Sequence, residues 1–76
     1  MNRDTLVRMA NQIGTFFQSQ PDHNEALEGL ASHIARSWEP RMRREFEALL
    51  KEGGPQAQAV LPIVREALTK HGVIAA

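Results

Sequence analysis

Four arginines, Arg36, Arg41, Arg43 and Arg44, surround Trp38 and Pro40 in the stretch ARSWEPRMRREF, residues 35–46. Three roles fit such a cluster: phosphate binding beside a base-stacking aromatic, a handle for a partner protein bearing carboxylates, or a solvated helix corner. Nucleophilic catalysis has less to work with, because a nucleophile needs a base within hydrogen-bond reach. Of Ser19, Ser32 and Ser37, only Ser32 has a histidine beside it, His33. Neighbours one apart on a helix point in different directions, so this pair forms no dyad. The Gly53-Gly54 pair follows a helical pattern and leads into proline, unlike the glycine loop that precedes a phosphate-binding helix. The carboxylates are spread among the arginines, as in solvated ion pairs. No active site is expected.

Metal and cofactor chemistry is equally thin. The chain has no cysteine, which removes disulfides, thiolate metal sites and thiol catalysis together. His23, His33 and His71 lie far apart in sequence and make no zinc-binding spacing. No catalytic, cofactor-binding or metal-binding residue is therefore expected. His33 falls at the edge of an apolar stripe. It reads first as a boundary histidine bonded to a nearby carbonyl or water, and second as a contact to a partner chain.

The nine basic and nine acidic side chains cancel. Neutralising phosphates supplies most of the affinity of a nucleic-acid binder, so this balance speaks against one, although a local patch would suffice. The longest apolar run, Val73 to Ala76, is four residues, far short of the roughly 20 that span a bilayer. The N-terminal MNRDTLVRMANQ lacks the apolar core of a signal peptide. A cytoplasmic chain without membrane contact is expected. Its 76 residues make one small domain, residues 1–76. A domain of this size buries only about 60% of its unfolded surface, and association with a partner is one remedy. Homo-oligomerisation of the isolated chain is open on the same ground.

The elements that position these residues read as helices. A first helix is expected from Asp4, as N-cap, to Gln18, with Leu6, Met9, Ala10, Ile13, Phe16 and Phe17 in an arc of roughly 120° facing the core. A second stripe on that helix, Val7, Asn11, Gly14 and Gln18, reads either as a mild polar surface or as a place where another backbone approaches closely. Pro21 stops the first helix, and Asp22 or Asn24 caps a second over residues 25–37. That helix aligns Leu27, Leu30, Ala31, Ile34 and Trp38. Pro40 starts a third, to Lys51, burying Met42, Phe46, Leu49 and Leu50, with Gly53 and Gly54 as its stop. Residues 56–60 read as a helical turn or an extended linker, and Pro62 opens a last helix closed by Gly72. No strand pattern competes. The expected fold is all-α, a compact small bundle of three to four helices.

On these elements Arg41–Glu45 and Arg43–Glu47 are i,i+4 pairs worth about 0.2–0.5 kcal/mol each. Arg36 and Arg44 have Pro40 and Ala48 at those positions and are the freer cations. Trp38, on the apolar stripe, is expected to anchor the corner between the second and third helices, and an indole turned inward stacks on no base. The partner handle is thus the preferred reading of the cluster, with the solvated corner second.

Two strings, LVRMANQIGTFF (residues 6–17) and HIARSWEPRMRREF (residues 33–46), together resemble the delta subunit of the cytosolic, NAD-dependent, molybdenum-containing formate dehydrogenases. The matching positions are Met9, Ala10, Asn11, Gln12, Ile13, Phe16 and Phe17, then His33, Ile34, Trp38, Pro40, Arg41, Met42 and Arg43. The resemblance runs from residue 6 to about 50 and more loosely through the glycine pair into PIVREAL. Glu39 stands where the family pattern has aspartate, and the segment PQAQAVL is longer than usual. The resemblance implies an accessory subunit with no cofactor of its own. Other subunits of such complexes carry the molybdenum–pterin site, the iron–sulfur clusters and the flavin with its NAD site. The implied task is assembly or stabilisation of the catalytic molybdenum subunit. Candidate partner-binding residues are Asn11, Gln12, His33, Arg36, Trp38, Arg41, Arg43 and Arg44. A small helical nucleic-acid-binding module and a free-standing homodimeric adaptor are the alternatives.

Overall fold

A computed structural model describes residues 2–74. Five helices follow one another: α1 (Arg3–Gln18), α2 (His23–Ser37), α3 (Pro40–Glu52), the single turn α4 (Pro55–Gln58) and α5 (Pro62–Lys70). The described residues contain no strand. The expected all-α bundle is what forms, with the stretch after the glycine pair taking the helical-turn alternative.

Each boundary has a local cause. The N-cap of α1 is Asn2, whose side chain accepts the Thr5 N–H at 2.9 Å, and not Asp4. Asp4 instead lies inside the first turn, where its charge suits the helix dipole, and accepts a bond from the Gln56 amide at 3.0 Å. Asp22 is the cap of α2, accepting the Glu25 N–H at 3.0 Å, so that helix begins at His23, two residues ahead of the expected start. Asn24 lies within α2 and accepts from Lys70 Nζ at 3.1 Å. The chain turns extended at Trp38 (φ −91°, ψ 135°) and Glu39 (φ −64°, ψ 153°), as Pro40 requires of its predecessor. Prolines open α3, α4 and α5, where the missing N–H is no loss. Gly53 ends α3 at φ 69°, a left-handed conformation that a side chain disfavours.

The core gathers one face from each long helix. Leu6, Ala10, Leu27, Leu30, Ile34, Phe46, Leu49, Val64, Ala67 and Leu68 are almost wholly shielded. Burying a Leu, Ile, Val or Phe side chain contributes about 1.5–3 kcal/mol each, so this face is what holds the short helices together. Trp38 closes the α2–α3 corner, 4% exposed, with its ring edge-to-face on Phe46 at 5.5 Å. Met42, expected in this core, is only partly buried against it. Polar ties cross between helices at the surface. Arg3 Nε reaches Glu45 at 2.8 Å, and its two terminal nitrogens fork onto Glu52 at 2.7 and 3.0 Å. His23 meets Glu66 at 3.1 Å, fastening the start of α2 to α5.

The core face of α1 is rotated from the expected arc. Its buried residues are Leu6, Val7, Ala10 and Gly14. Met9, Ile13 and Phe17 are only partly covered, and Phe16 stands 66% exposed. The rotation arises because the α4–α5 connection and α5 itself pack on the Val7–Gly14 side.

Candidate partner-binding surface

Asn11 is spent inside the chain. Its side-chain amide donates to Ala59 O at 2.9 Å, and its carbonyl accepts the Leu61 N–H at 2.9 Å. One turn on, a Cβ on Gly14 would stand 2.7 Å from Val64 Cγ2. Of the two readings of this second stripe, close backbone approach is therefore the one realised. Asn11 satisfies two main-chain groups of a segment that has no helical partners there, while Gly14 lets α5 in. Gln18, at the end of the stripe, is exposed and takes no part.

A different face of α1 lies open. Gln12, Ile13, Phe16 and Phe17 of α1 and His33 of α2 line a groove of about 280 Å³. Phe16 and Phe17 meet edge-to-face at 5.1 Å, and the Phe17 ring is 6.3 Å from that of His33. Phe17 lies so close over Gly29 that a Cβ there would stand 2.6 Å from its Cε1. The groove brings together Gln12 and His33, which the sequence marked separately. Sequence reasoning missed Phe16 as part of it. The available signal was the adjacency of two phenylalanines: neighbours are 100° apart on a helix, so one of them must leave a narrow core stripe.

The arginine corner divides differently from its sequence reading. Arg43 Nη1 donates to Ala35 O at 2.6 Å, satisfying a carbonyl in the last turn of α2 that has no helical donor. Glu45, the expected partner of Arg41, binds Arg3 instead. Glu47 reaches Lys51 at 3.4 Å. Arg36 makes a long 3.4 Å bond to Ser32 O. Among the described residues Arg41 and Arg44 have neither ion pair nor hydrogen bond, and both are exposed. A shallow depression beside them is lined by Ala35, Pro40, Arg43, Arg44, Glu47 and His71. Trp38, also marked as partner-binding, has its indole in the core, so it shapes this corner from beneath. Among the described residues no three His, Asp or Glu side chains converge as a metal site would, and no helix is long and apolar enough to cross a membrane.

The fold and these surfaces define a small all-α chain that keeps its titratable groups at the surface and displays one aromatic groove and one basic corner. Residues 5–68 match the family model described as NADH-dependant formate dehydrogenase delta subunit FdsD. The chain belongs to this family, which ties it to a formate dehydrogenase complex. No curated protein and no solved structure gives a significant match.

Proposed function

We propose that the chain is a non-catalytic accessory subunit that assists assembly or stability of the molybdenum-bearing catalytic subunit of an NAD-dependent formate dehydrogenase in the cytoplasm. The observation that carries this reading, beside family membership, is the basic corner. Arg36, Arg41 and Arg44 project from a chain of zero net charge without a carboxylate of their own. Guanidinium groups left in this way suit bidentate pairing with carboxylates on another protein, and arginine is enriched at protein interfaces. Any chain that binds only the folded form of another stabilises it by mass action, with no chemistry of its own. The absence of cysteine from these 76 residues leaves no thiolate for an iron–sulfur cluster. In this reading the redox groups belong to the other subunits.

Arg36→Glu combined with Arg44→Glu tests it. Both positions are exposed, and such substitutions usually shift stability by no more than about 0.5 kcal/mol, so the isolated fold survives. Reversed charges facing a partner carboxylate cost several kcal/mol, so co-purification with the other formate dehydrogenase subunits falls sharply. Recovery equal to that of the unaltered chain would make the corner a solvated one.

A further inference from the structure

Phe16 is the one large apolar side chain of the described residues that stands in solvent, and it forms a wall of the α1–α2 groove. At about 280 Å³ the groove sits at the foot of the range of small-ligand pockets, about 300–1,000 Å³. It has room for side chains more readily than for a cofactor. Its lining is apolar except for the Gln12 amide and the His33 ring. Phe17 lies over Gly29 and forms the floor, while Phe16 is raised beside it.

Among the described residues, two cations without carboxylate partners mark one end of the groove. A four-residue link joins α1 to α2, and with Phe17 lying over Gly29 the two helices run antiparallel. Arg8, one turn before Gln12, and Arg36, three residues after His33, therefore lie toward the same end. Both are exposed, and neither has a carboxylate partner among the described residues. Glu25, one turn before Gly29, marks the opposite end.

We infer that this groove docks a segment of the formate dehydrogenase complex that inserts an apolar side chain beside Phe16 and sets carboxylates against Arg8 and Arg36. The inference rests on the accessory role proposed above and names a second surface and its partner's chemistry. Aromatic side chains that become enclosed at a contact carry much of its affinity, and carboxylates pairing with the end arginines fix the direction of the incoming segment. The two arginines without carboxylate partners at this end suit a segment that brings its own Asp or Glu side chains to them.

The test co-expresses the chain with the other formate dehydrogenase subunits, as unaltered protein, Phe16→Ala, Phe16→Glu, Arg8→Glu, and the corner variant Arg41→Glu/Arg44→Glu, which leaves Arg36 intact. In parallel, Phe16 is replaced by a benzophenone-bearing phenylalanine and the illuminated complex is mapped by mass spectrometry. Circular dichroism checks that each variant folds. The expected result is a loss of co-purification of about tenfold or more for Phe16→Glu, smaller losses for Phe16→Ala and Arg8→Glu, and a crosslink to a formate dehydrogenase peptide with an aliphatic residue near Asp or Glu. Undiminished recovery of folded Phe16→Glu, or a crosslink to a second copy of the chain, overturns the groove. If the corner variant alone loses recovery, the accessory role stands without the groove. If even the unaltered chain fails to co-purify, the accessory role falls and the groove's partner with it.

Discussion

Asn11 and Leu61, fifty residues apart in sequence, are joined by a 2.9 Å bond from the Leu61 N–H to the Asn11 side-chain carbonyl. The same side chain donates to Ala59 O. One amide thus pins both sides of Val60, whose side chain is buried, and sets where α5 begins. Asn11→Ala leaves a part-buried N–H and a carbonyl without these partners, at a cost of about 1–3 kcal/mol. For a domain of this size each kcal/mol lowers Tm by roughly 4–8 °C. Thermal melts of the two proteins measure the difference, and an unchanged Tm would mean that water replaces the clamp.

Gly14→Ala acts at the same seam. Alanine is better than glycine inside a helix by about 1 kcal/mol, but its Cβ would meet Val64 Cγ2 at 2.7 Å. Val64 is fully buried and β-branched, so it has little freedom to turn away. Overpacking costs about 1–3 kcal/mol, which exceeds the propensity gain, and a net loss on the order of 1 kcal/mol is expected in a denaturant titration. Adding Val64→Ala to Gly14→Ala should recover less than its own cavity costs, and the double-mutant cycle reads that coupling.

The fold was legible where single residues punctuate the chain. Pro40, Pro62 and Gly53 mark boundaries by excluding one conformation or admitting another, and the Leu27–Leu30–Ile34 stripe needs only its own spacing. What escaped depended on distant residues. Asn2 and Asp4 are both good caps, and the choice between them is made by the reach of one side chain to the Thr5 N–H. Arg3 takes Glu45 and Glu52 from 42 and 49 positions away, a contest that an i,i+4 rule does not contain. The turn of α1 that exposes Phe16 follows from what α5 covers, and its local traces were Gly14 and the adjacency of Phe16 and Phe17. Of the site, Arg44 could be read because Ala48 occupies the position where a carboxylate would pair with it, whereas Arg41 could not, because its expected partner Glu45 is taken by Arg3. The groove could not, because it needs the rotation of α1 and the pairing with α2 together.

Trp38→Ala is expected to be severe. The indole is buried and packed on Phe46, and removing a core aromatic costs about 3–5 kcal/mol. Stabilities of natural domains are about 5–15 kcal/mol, and this chain is small, so a large part of the variant unfolds near room temperature. Far-ultraviolet circular dichroism across a melt checks it. A Tm equal to the parent's would place the indole outside the core.

The Arg3 fork gives an acid-side signature. Its hydrogen bonds hold the Glu52 carboxyl below its ordinary value of 4.5. A carboxyl depressed on folding contributes stability that is fully present above its unfolded value and is lost as pH falls through the folded one. Arg3→Gln should therefore lower Tm at neutral pH, with the gap to the parent closing below about pH 4.5. The pair is exposed, so the effect is modest and shrinks in high salt. A gap independent of pH would assign the role of Arg3 to packing.

Gly29→Ala separates the shape of the groove from the stability of the fold. The contact it would create is as short as the one at Gly14, 2.6 Å to Phe17 Cε1, but the neighbour differs. Val64 is locked in the core, whereas the Phe17 ring is the far end of a side chain that is only partly buried. The ring can swing outward, at a loss of packing that the gain in helix propensity, about 1 kcal/mol, offsets. Gly29→Ala should therefore melt within a few degrees of the parent while Phe17 moves off His33. Proton NMR contacts between the Phe17 and His33 rings report that movement directly. A Tm drop as large as that of Gly14→Ala would show that Phe17 is held as rigidly as Val64, and the floor of the groove would then belong to the core.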